Sequence, residues 1–572
     1  MKKVNLLCAT GIALTSLVQL PAWSKTVSEN DWVNISNKNC SSEKLQNTIP
    51  ASMIGEAVAA VSLDTMTWVE GTDAVPAHCM VEGSIKPVDT STTAQAIHFA
   101  VALPAAWNAR AIQMGGGGMN GRVPRLTGSA TGFRGASELL KGYATYGSDS
   151  GHSNDPSWLL NDEAIRNLGY AQMKKTHDAA MVIMERIYGK KPDYNYYIGN
   201  SQGGREALTV AQRYPQDYDG ISAGVPIVNF TALMQSPTLV RIQEKKLANW
   251  VTHVKGNAIV AEFMRQCDGL DGLNDGVINN YVDCRSLFNV QGKTDLKPWA
   301  AKQCPNDRDP DPEDTSENAC LTAEHIETLN FVFSTREFAP VANNISRFGM
   351  WAPTTAANGK GMGQLFSDKR FKGQEGAEEN AKVYSTLGVE GVTGIMMQDI
   401  DANPLDYDPE GKHQARRLEV SAWLDATNPD FSAFEKRGGK MLVIIGTDDA
   451  IASTGAQLDY YQSLLDKAGR DSLDTFARLY VLPQTGHALI GNRYTLTGEG
   501  KTQAATPLPA NFDRLNLLVN WVEAGIAPGK TEMVTGNTDS GLMCSYPEYP
   551  HYKKGEISSA ESYQCKKPKS LN

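Results

Sequence analysis

The sequence predicts an α/β fold: a mostly parallel sheet with helices on both faces, interrupted by one large insertion. Three observations carry this. Apolar runs of strand length alternate with stretches of helical periodicity on either side of residue 200. One strand-to-helix junction reads Gly199-Asn200-Ser201-Gln202-Gly203, a G-x-S-x-G turn. From about 229 to 427 the regular pattern dissolves into many turn signals, with four cysteines, an acidic Gly-rich loop and a polar stretch over 306–318, and a buried strand resumes at Lys440.

Met1-Lys2-Lys3, an apolar run over 4–20 and the small-x-small triplet Ala22-Trp23-Ser24 predict a cleaved export signal over 1–24. Strands are expected over 98–104 and 111–114 as neighbours, then at 143–147, with a helix over 167–188. The strand before Ser201 and a helix over 206–213 complete the elbow. Apolar runs at 441–446 and 477–482 predict two more strands, and 511–524 a last helix. The expected organisation is therefore a first core part over 25–228, an inserted lid over 229–427 and a second core part over 428–572.

Composition narrows the class. Hydrophobic residues at 41% and charged residues at 21% are those of a globular chain. The formal charge of −10 becomes −12 once Lys2 and Lys3 leave with the signal. That argues against nucleic acid and anionic membrane as partners. No second span of membrane length is present. Nine cysteines become eight without Cys8, an even number that suits disulfides in a secreted or periplasmic chain. The spacing offers the local pairs Cys40–Cys79, Cys267–Cys284, Cys304–Cys320 and Cys544–Cys565. The absence of C-x-x-C argues against a zinc or redox motif.

A serine hydroxyl needs a base and an orienting acid, and on an elbow of this kind they follow in the order Ser, acid, His. Strand 441–446 is followed by Thr447-Asp448-Asp449, and strand 477–482 by a loop carrying His487. Both lie beyond strand carboxyl ends, where active-site groups gather in open α/β sheets. Ser201 and His487 are thus candidate nucleophile and base, and the residues alone leave the acid open between Asp448 and Asp449. Asp149 and His152 precede the serine and read as loop-stabilising. The run Gly115–Gly118 suits an oxyanion loop, with Gly117 taken as one N–H donor and Gln202, after the nucleophile, as the other. It lacks the lysine and spacing of a phosphate loop. In the loop 267–277, Asp268, Asp271 and Asp275 stand at i, i+3 and i+7 among glycines. Hard oxygens in a turn-rich loop suit Ca²⁺, and the residues alone leave a metal-free turn equally open.

Together these residues resemble the tannase/feruloyl esterase family, which includes the bacterial hydrolase of mono(2-hydroxyethyl) terephthalate. The resemblance runs from about residue 40 to 565. It implies an α/β-hydrolase core with a large lid, and a structural Ca²⁺ held by Asp268, Asp271 and Asp275 side chains with the Leu273 and Val277 carbonyls. It also implies Asp449 as the acid, because Gly446 and Tyr460-Tyr461 stand around it as in the family. The implied activity is that of a serine carboxylesterase on small aromatic esters of galloyl or feruloyl type. Terephthalate half-esters are the alternative substrate, and a degenerate calcium-dependent binding protein is the alternative from another class. Trp351, Phe366, Phe371, Trp423 and Arg347 are lid positions that could set selectivity. One departure is plain. The family's bridged cysteines before the serine and after the histidine are here Asn200 and Ala488.

Overall fold

A computed structural model describes residues 32–130, 135–153, 155–349, 351–352, 367–386 and 388–571. The expected export signal and Phe366 lie outside the described residues. The core is a twelve-stranded sheet: β1 (Thr48–Ile49), β2 (Ala60–Val69), β3 (His78–Lys86), β4 (Ile97–Pro104), β5 (Arg110–Met114), β6 (Ala144–Ser148), β7 (Tyr194–Asn200), β8 (Gly220–Gly224), β9 (Lys440–Gly446), β10 (Ala477–Leu482), β11 (Thr531–Thr535) and β12 (Ser540–Ser545). Its spatial order is β11-β12-β10-β9-β8-β7-β5-β6-β4-β3-β2-β1.

The centre, from β6 through β5, β7, β8 and β9 to β10, is parallel. Antiparallel wings extend it on both sides. The wings are what the sequence reading left out, since β2 and β3 alternate buried and exposed residues and read as ordinary amphipathic segments. A correction follows for 98–104 and 111–114. The two strands are not neighbours, because β6 pairs with both β4 and β5 and lies between them.

Side-chain alternation along β7 assigns its two faces. Tyr196 and Ile198 join Leu442, Ile444, Leu515 and Leu518 on one side. Tyr197 joins Ala207, Leu208 and Val210 on the other. Helix α1 (Gln172–Tyr188) covers the wing strands, burying Ala180, Ile183 and Ile187 against Val81, Val101 and Leu103. Each large apolar side chain buried this way contributes about 1.5–3 kcal/mol.

The helix expected over 167–188 is interrupted. Residues Asn167–Ala171 form a π-helical turn ahead of α1. The carbonyls of Leu168 and Gly169 accept from the Arg205 guanidinium at 2.6 and 2.7 Å, and a Cβ on Gly169 would lie 2.3 Å from Trp423 O. The widened turn is the form that lets both contacts be made.

Strands β8 and β9 pair in parallel, and the chain between them, 225–439, leaves the sheet. It contains α3 (Phe230–Gln243), α4 (Gly256–Cys267), α5 (Tyr281–Phe288), α6 (Ala323–Phe333), α7 (Gln414–Leu424) and a hairpin of Arg336–Ala342 with Ile345–Phe348. Its apolar residues share one continuous core with the sheet: Phe263, Phe288, Trp299 and Val420 belong with Ile221, Met441 and Val443. The four disulfides are Cys40–Cys79, Cys267–Cys284, Cys304–Cys320 and Cys544–Cys565.

Candidate active site

Strand β7 ends at Asn200, and α2 (Gln202–Arg213) begins two residues on. Between them Ser201 has φ 60° and ψ −122°. Such a backbone costs a non-glycine residue about 1–3 kcal/mol and persists only where its surroundings enforce it. Here Ser201 N–H donates to Gly224 O at 2.9 Å, and its carbonyl accepts from Arg205 N–H at 3.0 Å. The flanking glycines are required by contact. A Cβ on Gly199 would stand 2.6 Å from the Gly203 carbonyl carbon, and one on Gly203 would stand 2.8 Å from Gly116 O. The elbow and the glycine run therefore touch backbone to backbone.

Asp449 lies beyond β9 and His487 beyond β10, so both follow parallel strands on the same side of β7 in the sheet. His487 Nδ1 is 3.0 and 2.9 Å from the two Asp449 carboxylate oxygens. Asp449 is 1% exposed, and its Oδ1 also accepts from Ile451 N–H and Ala452 N–H at 2.8 and 3.0 Å. A proton on Nδ1 directed at this carboxylate leaves Nε2 as the basic ring nitrogen. Asp448 is engaged differently, its Oδ2 accepting from Tyr494 OH at 2.6 Å.

Along the glycine run, Gly115 N–H donates to Ile198 O at 2.9 Å and Gly116 N–H to Glu206 Oε2 at 2.8 Å. Gly117 is exposed, and its N–H has no acceptor among the described residues. Gln202 opens α2, where a first-turn N–H has no intrahelical acceptor. Glu206 is the residue that sequence reasoning missed. It is fully buried and accepts from Gly116 N–H, from Asn120 Nδ2 at 2.6 Å, from Tyr197 OH at 2.9 Å and from Gln172 Nε2 at 3.3 Å. A glutamate five residues after the serine carries no motif signal, and only the fold brings the glycine run onto it.

His152 and Asp149 support the same loop. His152 Nε2 donates to Met119 O at 2.6 Å, its ring stacks on Trp158, and burial pushes it down to about 4. Asp149 accepts from Gly151 N–H and from His98, and its own carbonyl receives Gly121 N–H. A cavity of about 360 Å³ opens beside this loop, lined by Met119, Asn120, His152, Trp158, Thr386 and Glu390. A second hollow, beside Asp448, Gln484 and Trp351, measures about 50 Å³, room for water and not for an aromatic acid.

Behind the elbow, Asn200 is buried and Ala488 exposed. Asn200 Oδ1 accepts from Arg514 Nη1 at 2.8 Å, while Arg514 Nε donates to Ser222 Oγ at 2.6 Å. Burial holds this guanidinium far below its usual range, at about 9. Residue 200 is thus tied to the first turn of α9 (Arg514–Ala524; α8 is Thr454–Ala468).

In the acidic loop, bracketed by the Cys267–Cys284 bridge, Asp268 accepts from Gly276 N–H and Gly498 N–H. Asp271 accepts from Leu273 N–H and from Asn279. Asp275 accepts from Val277 N–H and pairs with Arg493. Burial raises Asp268 and lifts Asp271 to about 7, and the Asp275 charge adds to both. Among the described residues, Arg493 is the one cation paired with these three carboxylates. The set is buried, oxygen-rich and short of positive charge, which suits a hard divalent cation in composition, but the three carboxylates do not all bring an oxygen within 4.8 Å of one another and so do not converge on one point.

Of the lid candidates, Trp351 is buried, Phe371 packs on Tyr384, and Trp423 receives Arg166 and Arg416 over its ring. Arg347 is exposed on the hairpin.

The parallel centre, the strained serine and the acid–histidine pair beyond the next strands define an α/β-hydrolase. Comparison with known proteins makes this specific. A family model described as tannase and feruloyl esterase matches residues 79–566, and the chain belongs to that family. An uncharacterized esterase of Agrobacterium fabrum is 32% identical over 91% of each chain. The mono(2-hydroxyethyl) terephthalate hydrolase of Piscinibacter sakaiensis is 28% identical over 86% of each. Among solved structures, feruloyl esterase B from Aspergillus oryzae superposes with a TM-score of 0.70 at 21% identity, covering 92% of this chain and 99% of its own. The protein is a carboxylesterase.

Proposed function

We propose that this esterase hydrolyses esters of aromatic acids, of galloyl or feruloyl type, through Ser201, His487 and Asp449. The observation that carries the reading is the double approach of His487 Nδ1 to a buried Asp449 carboxylate. In the proposed cycle, His487 Nε2 removes the Ser201 proton as Oγ attacks the ester carbonyl. The oxyanion takes N–H donors from Gly117 and Gln202. His487 then passes its proton to the departing alcohol, leaving an acyl-Ser201. Water, deprotonated by the same nitrogen, attacks the acyl carbon, and the bond to Ser201 Oγ breaks as the imidazolium returns that proton to Oγ, releasing the acid and restoring the free base. The cavity beside Met119 and Trp158 is of ligand size and part aromatic and adjoins the glycine-rich loop, which supports an aromatic acyl group there, although Ser201 and His487 are not among its lining residues. The likeness to a protein named for terephthalate half-ester hydrolysis supports that ester as a second substrate.

Three further parts belong to the same reading. Residues 229–427 act as a lid, supported by their departure between two adjacent strands. Asp268, Asp271 and Asp275, with the Leu273 and Val277 carbonyls, hold Ca²⁺ as a structural ion, whose contribution is to neutralise their charge. The chain is exported, as its leading segment and four disulfides suggest. Hydrolysis of methyl gallate, methyl ferulate and ethyl acetate tests the substrate class. The reading expects both aromatic esters to exceed the acetate in kcat/KM, and preference for the acetate would overturn it.

A further inference from the structure

The turn that carries His487 is built around Gln484. This residue is 3% exposed and has φ 55°, a left-handed backbone that its neighbours must enforce. Its own N–H donates to Thr447 Oγ1 at 2.7 Å, next to the acid-bearing segment, and Asp448 N–H donates to Thr485 O at 3.0 Å. The side-chain amide reaches the other way. Oε1 accepts from Ile278 N–H at 3.1 Å, and Nε2 donates to Gly276 O at 2.7 Å and to Asn492 O at 2.8 Å. Both amide hydrogens and the oxygen are thus used, and the bonds to 276 and 278 reach the far end of the acidic loop. A fully satisfied buried amide of this kind fixes geometry more than it adds stability.

The rest of the turn has little freedom. A Cβ on Gly491 would stand 2.0 Å from Gln484 O, and one on Gly446 would stand 2.2 Å from Thr485 O. After the turn the chain docks again on the acidic loop. Tyr494 N–H donates to Gly276 O at 2.9 Å, and Gln503 Nε2 donates to Asp275 O at 2.7 Å. Gln484 and Gln503 therefore both bind the loop, and only Gln484 belongs to the turn that presents the histidine.

We infer that Gln484 is a positioning residue: its amide braces the His487 turn against loop 276–278, so that the inserted region sets where the imidazole stands. This rests on His487 being the catalytic base. A brace between two rigid elements acts on the transition state. A shift of about 1 Å in a reacting group can cost 100-fold in rate, while substrate affinity is set elsewhere.

The test uses the full chain and a phenyl acetate substrate, which demands nothing of the acyl pocket. Gln484→Ala and the volume-conserving Gln484→Met should each lower kcat by about 10- to 100-fold with KM changed less than about twofold. Gln503→Ala, which removes bonds to the same loop, should leave kcat within about twofold even where Tm falls. The inference is overturned if both Gln484 variants retain kcat. It is equally overturned if kcat follows Tm across the Gln484 and Gln503 variants alike, which would make Gln484 structural only. A separate failure, Ser201→Ala as active as the parent, would remove the proposed triad itself.

Discussion

At the residue scale, the choice of acid is the sharpest question. Sequence position leaves Asp448 and Asp449 equivalent, since adjacent residues after a strand carry the same topological argument. Their surroundings separate them. Asp449 receives two backbone N–H groups and the imidazole, and Asp448 receives Tyr494. Asp449→Asn should therefore reduce kcat by about 10³- to 10⁴-fold by unsettling the tautomer, and Asp448→Asn should leave most activity. Steady-state rates of the two variants decide it. His152 supplies a pH prediction. Its folded value of about 4 lies below the ordinary 6.5, so between these values the unfolded chain binds a proton that the native protein does not. Stability falls as pH drops from about 6.5 to about 4, by about 3 kcal/mol for this one group. His152→Gln can still donate to Met119 O without titrating. The acid limb of its Tm profile should be flatter than the parent's, and superimposable limbs would show that His152 does not carry the effect.

At the scale of elements, α2 does two jobs that its sequence hides. Its apolar positions announce a core helix, but Arg205 and Glu206 are both fully buried on it. Arg205 reaches the carbonyls of Leu168, Gly169 and Leu424, and Glu206 holds the glycine run. Charged residues read as solvent-facing in any periodicity argument, so neither could be assigned before the neighbouring segments were in place. The partners of Glu206 present N–H and O–H groups, which only a carboxylate accepts throughout. Glu206→Gln turns an amide N–H₂ toward one of these donors. We expect it to lower kcat by about tenfold or more with KM nearly unchanged, because the donor at Gly117 would be misaimed. A raised KM at full kcat would instead place Glu206 in ground-state binding. The elbow, by contrast, was legible at once. Gly199 and Gly203 cannot carry a Cβ where two backbones meet, and that steric demand is written in the sequence as G-x-S-x-G.

At the scale of the whole molecule, alternation of strands and helices made the parallel centre readable, and local cysteine spacing anticipated all four disulfides. The antiparallel wings, the order of β5 and β6 and the shared core of sheet and insertion were not readable, since pairing between distant segments leaves no trace in local pattern. The acidic loop belongs to this scale because it joins α4, α5 and the segment after β10. If it holds calcium, excess chelator should lower Tm, by an amount equivalent to about 2.7 kcal/mol when free calcium had been at 100 times Kd. Asp271→Ala should abolish the chelator's effect, and a parent Tm indifferent to chelator would retire calcium. The most direct test of the central claim is mass-spectrometric mapping of a fluorophosphonate adduct on the full-length protein. We predict a single adduct on Ser201, formed at least about 10³-fold more slowly in Asp449→Asn. An adduct on another serine, or none on active protein, would contradict the account.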